Sequence, residues 1–106
     1  MLKLKPDVRF TNPLQALPII ALIVERVFDS YGYAAVITSA GDGRHKPDSF
    51  HYRGLALDFR TKHVTDPEHK AAIVRLLKDE LPQCDVLFEG AGTPNEHLHV
   101  EWDPKG

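Results

Sequence analysis

The hydrophobic pattern of the chain predicts an α+β domain, with two helices packed on a small, mainly antiparallel sheet. Two stretches carry apolar residues at helical spacing, while others are β-branched or alternate apolar and polar residues as a half-buried strand does. The chain has 106 residues, 42% of them apolar, enough for one core and too few for a separate binding module. Residues 1–106 therefore read as a single domain in which the core and any chemistry share one unit.

A short strand is expected at Val8 to Phe10. Asn12-Pro13 and Pro18 then punctuate the approach to a helix running through Ile19, Ile20, Ile23, Val27 and Phe28. Pro18 is expected in its first turn and Gly32 at its C-terminal stop. Tyr33 to Thr38, rich in β-branched and aromatic residues, reads as a strand that delivers the chain to the glycine-rich loop from Ser39 to Asp48. That loop is no phosphate cradle, because it lacks a Lys-Ser/Thr ending and no helix follows it. A further strand starts near Leu55, with Leu55, Leu57 and Phe59 on one face and Ala56 and Asp58 on the other. Thr65-Asp66-Pro67-Glu68 has the capping chemistry of a helix start, and Ala72, Ile73, Leu76, Leu77 and Leu81 trace the apolar stripe that follows. Leu81-Pro82 ends this helix. Cys84 to Phe88 reads as a strand leading through Glu89 into Gly90-Ala91-Gly92, and in the last strand Leu98, Val100 and Trp102 alternate with His97, His99 and Glu101.

Composition narrows the function classes. Net charge is −2 with both signs interspersed, so there is no basic stripe of the kind that grips a phosphate backbone, and nucleic acid is not an expected partner. The single cysteine, Cys84, excludes an internal disulfide and a zinc ribbon. The N-terminus lacks the apolar core and small-residue cleavage site of a secretory signal, and Ala16 to Val24 is too short to span a bilayer. The expectation is a monomer synthesised in the cytoplasm, with no membrane insertion.

His51, Asp58 and His99 together supply two imidazoles and a carboxylate, a set of three protein ligands that leaves a zinc ion one position for water. His51 and Asp58 are seven residues apart, an odd separation that would put them on opposite faces of one regular strand. A break at Gly54 resolves this, with His51 in a loop or strand end and Asp58 in the strand beyond. His63 and His69 fall at the approach and first turn of the second helix and are not counted as ligands.

The pattern Ser49-x-His51-x-x-Gly54-x-Ala56-x-Asp58, followed by His97-x-His99, resembles the signature of the zinc D-Ala-D-Ala peptidases. Hedgehog signalling domains and phage cell-wall endopeptidases share it. The likeness runs from about Thr38 to Trp102 and implies a hedgehog/DD-peptidase-like fold, bound Zn2+, and His51, Asp58 and His99 as the metal ligands. The implied activity is hydrolysis of bacterial peptidoglycan stem peptides, as a D,D-carboxypeptidase or an L-Ala-D-Glu endopeptidase acting on the wall after release from the cell. In the dipeptidases and phage endopeptidases the base lies three residues before the last ligand, as Glu96 does here. In hedgehog domains the comparable Glu ends the preceding strand, as Glu89 does. The expected general base is Glu96, with Glu89 as the alternative; an ideal strand would turn Glu96 away from His99, so Glu96 serves only if the strand begins at or after it. His97 could bond the oxyanion, orient the water or itself ligate. The resemblance also implies a substrate-facing place for Arg44 and His45, and Arg44, Lys46 and Arg53 are candidate cations for a substrate carboxylate. The alternatives from other classes are a hedgehog-like zinc-binding module without turnover and a phage structural protein.

Overall fold

The computed structural model describes residues 5, 8, 10–40 and 56–102. Within them the order is helix α1 (Pro13–Ser30), strands β1 (Ile37–Ser39) and β2 (Ala56–Arg60), helix α2 (Pro67–Glu80), and strands β3 (Cys84–Glu89) and β4 (His97–Trp102). The coarse expectation, an α+β domain with two helices and an antiparallel sheet, is met.

Helix α1 begins at Pro13, not near Pro18. Asn12 caps it, its side chain accepting from the Gln15 N–H at 3.2 Å, and Pro13 takes the first position, where a missing N–H costs nothing. Pro18 lies inside the helix. It deprives the Leu14 carbonyl of its usual donor, but Leu14 is 88% exposed, so water can reach that part of the helix. At the other end Gly32 takes φ +83, and its N–H and that of Tyr33 bond to the Asp29 and Phe28 carbonyls at 2.9 and 3.1 Å, the paired closure that a glycine after a helix allows.

Two strand expectations change. Val8 and Phe10 belong to no strand; instead the Gln83 side chain accepts from the Phe10 N–H at 3.2 Å and donates to the Val8 carbonyl. Of the stretch Tyr33 to Thr38 only Ile37 and Thr38 enter β1. Upstream, the Ala34 carbonyl accepts from His63 Nε2 at 2.6 Å instead of from a neighbouring strand, and Tyr33 Oη meets His69 Nδ1 at 2.9 Å. Those contacts also account for His63 and His69 being away from the sheet's polar face.

Helix α2 starts as its capping residues predict, with Asp66 Oδ1 accepting from the Glu68 N–H at 2.9 Å. It stops at Leu81. The four strands form one antiparallel sheet in the order β1-β2-β4-β3. Leu57 pairs with Val100 and Phe59 with Leu98, while Val86 lies opposite Val100 on the other side. These residues share one core with Ile20, Val24 and Phe28 of α1, Ile73 and Leu77 of α2, and Leu81 just beyond it. Both helices therefore cover the same face, and the other face is left for polar side chains. No helix among the described residues is long and apolar enough to cross a membrane.

Candidate active site

The face turned away from the helices is built by register. Asp58 of β2 lies directly opposite His99 of β4, with Ala56 opposite Glu101 and Arg60 opposite His97. From β3, Leu87 lies opposite His99 and Glu89 opposite His97. Residues paired across antiparallel strands project to the same side, so Asp58, His97, His99, Glu89 and Glu101 share one surface.

Asp58 and His99 are each only 8% exposed. His99 Nδ1 donates to Asp58 Oδ1 at 2.7 Å, and His99 Nε2 donates to Glu101 Oε1 at 2.8 Å. Carboxylates only accept, so both contacts together require a proton on each ring nitrogen. Burial alone would lower the His99 pKa, but the hydrogen bonds and charges of Asp58 and Glu101 outweigh it and raise the value to about 8. The His99 imidazolium is thus the cation that sits between two carboxylates.

Asp58 and His99 are residue types that bind zinc once the proton between them is lost. The buried carboxylate meets the near ring nitrogen directly, and the far ring nitrogen is held by a second carboxylate, which is how metal-binding histidines are commonly oriented. Asp58 and His99 supply two donors. Among the described residues no group of three or more His, Cys, Asp or Glu side chains is arranged to hold a metal. The third expected ligand, His51, lies outside the described residues, as do Arg44, His45, Lys46 and Arg53.

His97 and Glu89 adjoin the pair. The Asn95 carbonyl accepts from His97 Nδ1 at 2.7 Å, which fixes the ring. His97 Nε2 then lies 3.1 Å from Glu89 Oε1 and 3.9 Å from Asp58 Oδ2. The same Glu89 oxygen is 4.0 Å from His99 Nδ1. Its side chain is 48% exposed, so Glu89 reaches both the buried pair and solvent.

Glu96, the expected base, is not brought to this surface. It precedes β4 and alternates with His97, so it falls on the helix side with Leu98, and it is 9% exposed. Its Oε2 accepts from Thr61 Oγ1 at 2.7 Å and from Lys70 Nζ at 2.8 Å, and its Oε1 accepts from the Gly92 N–H at 3.1 Å. The Lys70 bond first, and then the Thr61 bond, hold its carboxyl down at about 2. A carboxylate so held has little drive to take a proton near neutral pH. Thr61 and Lys70 gave no signal in the sequence, since they lie 35 and 26 residues from Glu96. Glu101 has strand parity with His99, and that was the legible hint of its contact.

Cys84 is half-buried at the start of β3. Burial, with Asp85 beside it, pushes its thiol up to about 12, which leaves little thiolate for ligation or attack. Comparison of the chain with protein-family models, with curated proteins and with solved structures gives no match.

Proposed function

We propose that this chain is a zinc-dependent peptidase that hydrolyses peptide bonds of bacterial peptidoglycan stem peptides, with His51, Asp58 and His99 holding the metal and Glu89 as the general base. The observation that carries the reading is the buried Asp58–His99 contact, at 2.7 Å, with Glu101 behind the imidazole and Glu89 beside it on the same face. The sequence pattern from Ser49 to Asp58 and the His97-x-His99 ending support the substrate class. Zinc, when bound in such a site, lowers the pKa of water to about 7 and polarises a carbonyl.

The protein's own groups do the rest. Glu101 holds the His99 ring at Nε2 and sets its plane, which leaves Nδ1 on the side of Asp58. Glu89, exposed on one side and 3.1 Å from His97 Nε2 on the other, takes a proton from the attacking water and returns it to the leaving amine. His97, anchored through Asn95, keeps that carboxylate aimed at the site. Geometry favours Glu89 over Glu96 for the base, because Glu96 faces the helices and is held by three donors. Arg44 and His45 keep the substrate-facing place that the resemblance implies.

The test is digestion of purified wall fragments, with products identified by mass spectrometry, before chelation, after chelation and after zinc is restored. Release of stem-peptide fragments that chelation stops and zinc restores supports the reading. The masses distinguish a D,D-carboxypeptidase from an L-Ala-D-Glu endopeptidase. Folded, zinc-loaded protein that releases nothing would sink it and leave a hedgehog-like binding module in its place.

A further inference from the structure

The β3–β4 turn is the shortest path between Glu89 and His97, and its geometry is demanding. Gly90 and Gly92 take φ of +66 and +76, the left-handed region that suits glycine. The Thr93 N–H bonds to the Gly90 carbonyl at 2.9 Å and the Glu96 N–H to the Thr93 carbonyl at 3.1 Å. Those backbone bonds shape the turn but tie it to nothing else. A link from the turn to α2 and to the end of β2 comes from the Glu96 side chain.

Three donors from three different parts of the fold meet that carboxylate. Gly92 belongs to the turn itself, Thr61 follows directly on β2, three residues beyond Asp58, and Lys70 projects from α2. Lys70 also lies 5.8 Å from the centre of the Phe88 ring, next to Glu89 in β3. A carboxylate suits this junction because it accepts at both oxygens. A glutamine in its place would accept at one and present an N–H where a donor must be met.

We infer that Glu96 is a positioning residue: its buried carboxylate clamps the β3–β4 turn to α2 and to the end of β2, and so sets Glu89 and His97 against Asp58 and His99. The clamp stands on geometry alone; its effect on turnover rests on the peptidase reading above. The chemical consequence is indirect. Loosening the clamp lets the turn move, and with it the 3.1 Å contact between Glu89 and His97.

Three variants test this: Glu96→Gln, Lys70→Met and the double variant. The readouts on metal-free protein are amide exchange at Gly92 and the imidazole nitrogen shifts of His97 and His99. On zinc-loaded protein the readout is turnover of wall peptides. Each single variant should speed Gly92 exchange about tenfold, the scale of one lost charge-assisted hydrogen bond. Each should also move the His97 resonance and lower kcat by a similar factor. The double variant should be no worse than the weaker single, because both changes break one network. The opposite pattern overturns the proposal: Glu96→Gln losing about a hundredfold or more of kcat with Gly92 and His97 unmoved, and Lys70→Met turning over as the parent does, would make Glu96 the base itself. If the parent protein cleaves nothing, the peptidase reading fails, and the Gly92 and His97 signals alone decide the clamp, unmoved signals refuting it. Should Glu96→Gln not fold, Thr61→Val removes one donor and is read by the same two signals.

Discussion

At the scale of single residues, two carboxylates compete for one role and their surroundings separate them. Glu89 stands on the face of Asp58 and His99, whereas Glu96 is turned to the helices and held near a pKa of about 2. Glu89→Gln should keep fold and metal and lose about 10²–10⁴-fold of kcat, the usual span of a general base. Steady-state kinetics on wall peptides, with metal content measured on the same sample, checks it. Glu96 also makes an acid-stability prediction. Its folded pKa lies below its ordinary value of 4.5, so its contribution to stability is present above that value and fades as pH falls through about 2. Denaturant unfolding of the metal-free protein between these limits should show a shallower acid loss in Glu96→Gln than in the parent. His99 has the reverse sign. Its folded pKa, about 8, lies above the ordinary 6.5, so its protonated contacts stabilise the metal-free fold fully below the lower value and cease to do so as pH rises through the upper. In the proposed site zinc must displace the proton held between His99 and Asp58, so between the ordinary histidine value of 6.5 and about 8 zinc affinity should rise about tenfold per pH unit. Calorimetric titration across that range checks the slope, and a flat profile would remove His99 from the ligand set.

Among the elements, the helix ends and the β3–β4 turn have identifiable stops and starts. Asp66 accepts from both the Glu68 and His69 N–H groups at the head of α2, and Asp66→Ala should cost about 1 kcal/mol, within the usual range for a lost cap. For a domain of this size that is a fall in Tm of about 4–8 °C, measurable by calorimetry. Gly90→Ala should be harsher. A Cβ there would meet the Asn95 carbonyl oxygen at 2.9 Å, and the residue sits at φ +66, so two penalties fall on the turn that joins Glu89 to His97. The left-handed backbone alone costs about 1–2 kcal/mol for a non-glycine residue. The expected outcome is a lower Tm together with a lower kcat, because the strained turn adjoins Glu89, the proposed base. Gly32→Ala at φ +83 has open space around it and should lower Tm while sparing kcat.

For the molecule as a whole, the helices occupy one face of the sheet and the polar cluster the other, so core and site share strands but not surfaces. One zinc per chain is expected, retained in His97→Ala and lost in His51→Ala, Asp58→Ala and His99→Ala, with elemental analysis of protein purified without added metal as the measurement. Retention of stoichiometric zinc by His99→Ala would overturn the ligand assignment. Because the core is formed by α1, α2 and the far face of the sheet, chelation should abolish wall-peptide cleavage while leaving most of the helical circular dichroism in place. A collapse of that signal on chelation would identify the metal as a folding element.

Much of this was legible in the chain because it depends on neighbours close in sequence. The alternation of Leu98, Val100 and Trp102 with His97, His99 and Glu101 sorts β4 into two faces without reference to any other strand. The stripe at Ile73 and Leu77 does the same for α2, and the Asp66-Pro67 start needs only its own first turn. Parity alone also warned that Glu96 turns away from His99. Pro18 misled, because a proline can be carried inside a helix when water can reach the turn whose donor it removes, and Leu14 is exposed. What the amino-acid order determined by itself was therefore the class of fold, the two-sided strands and the residue types able to hold a metal. Only the tertiary structure decided that Asp58 meets His99 in register, that Glu101 backs the imidazole, that Glu89 shares their face, and that Lys70 and Thr61 claim the Glu96 carboxylate. The physical reason is range: backbone period and capping act within a few residues, whereas the Asp58–His99 contact and the bonds of Thr61 and Lys70 to Glu96 join groups 26 to 41 positions apart, which only the closure of the core brings within reach.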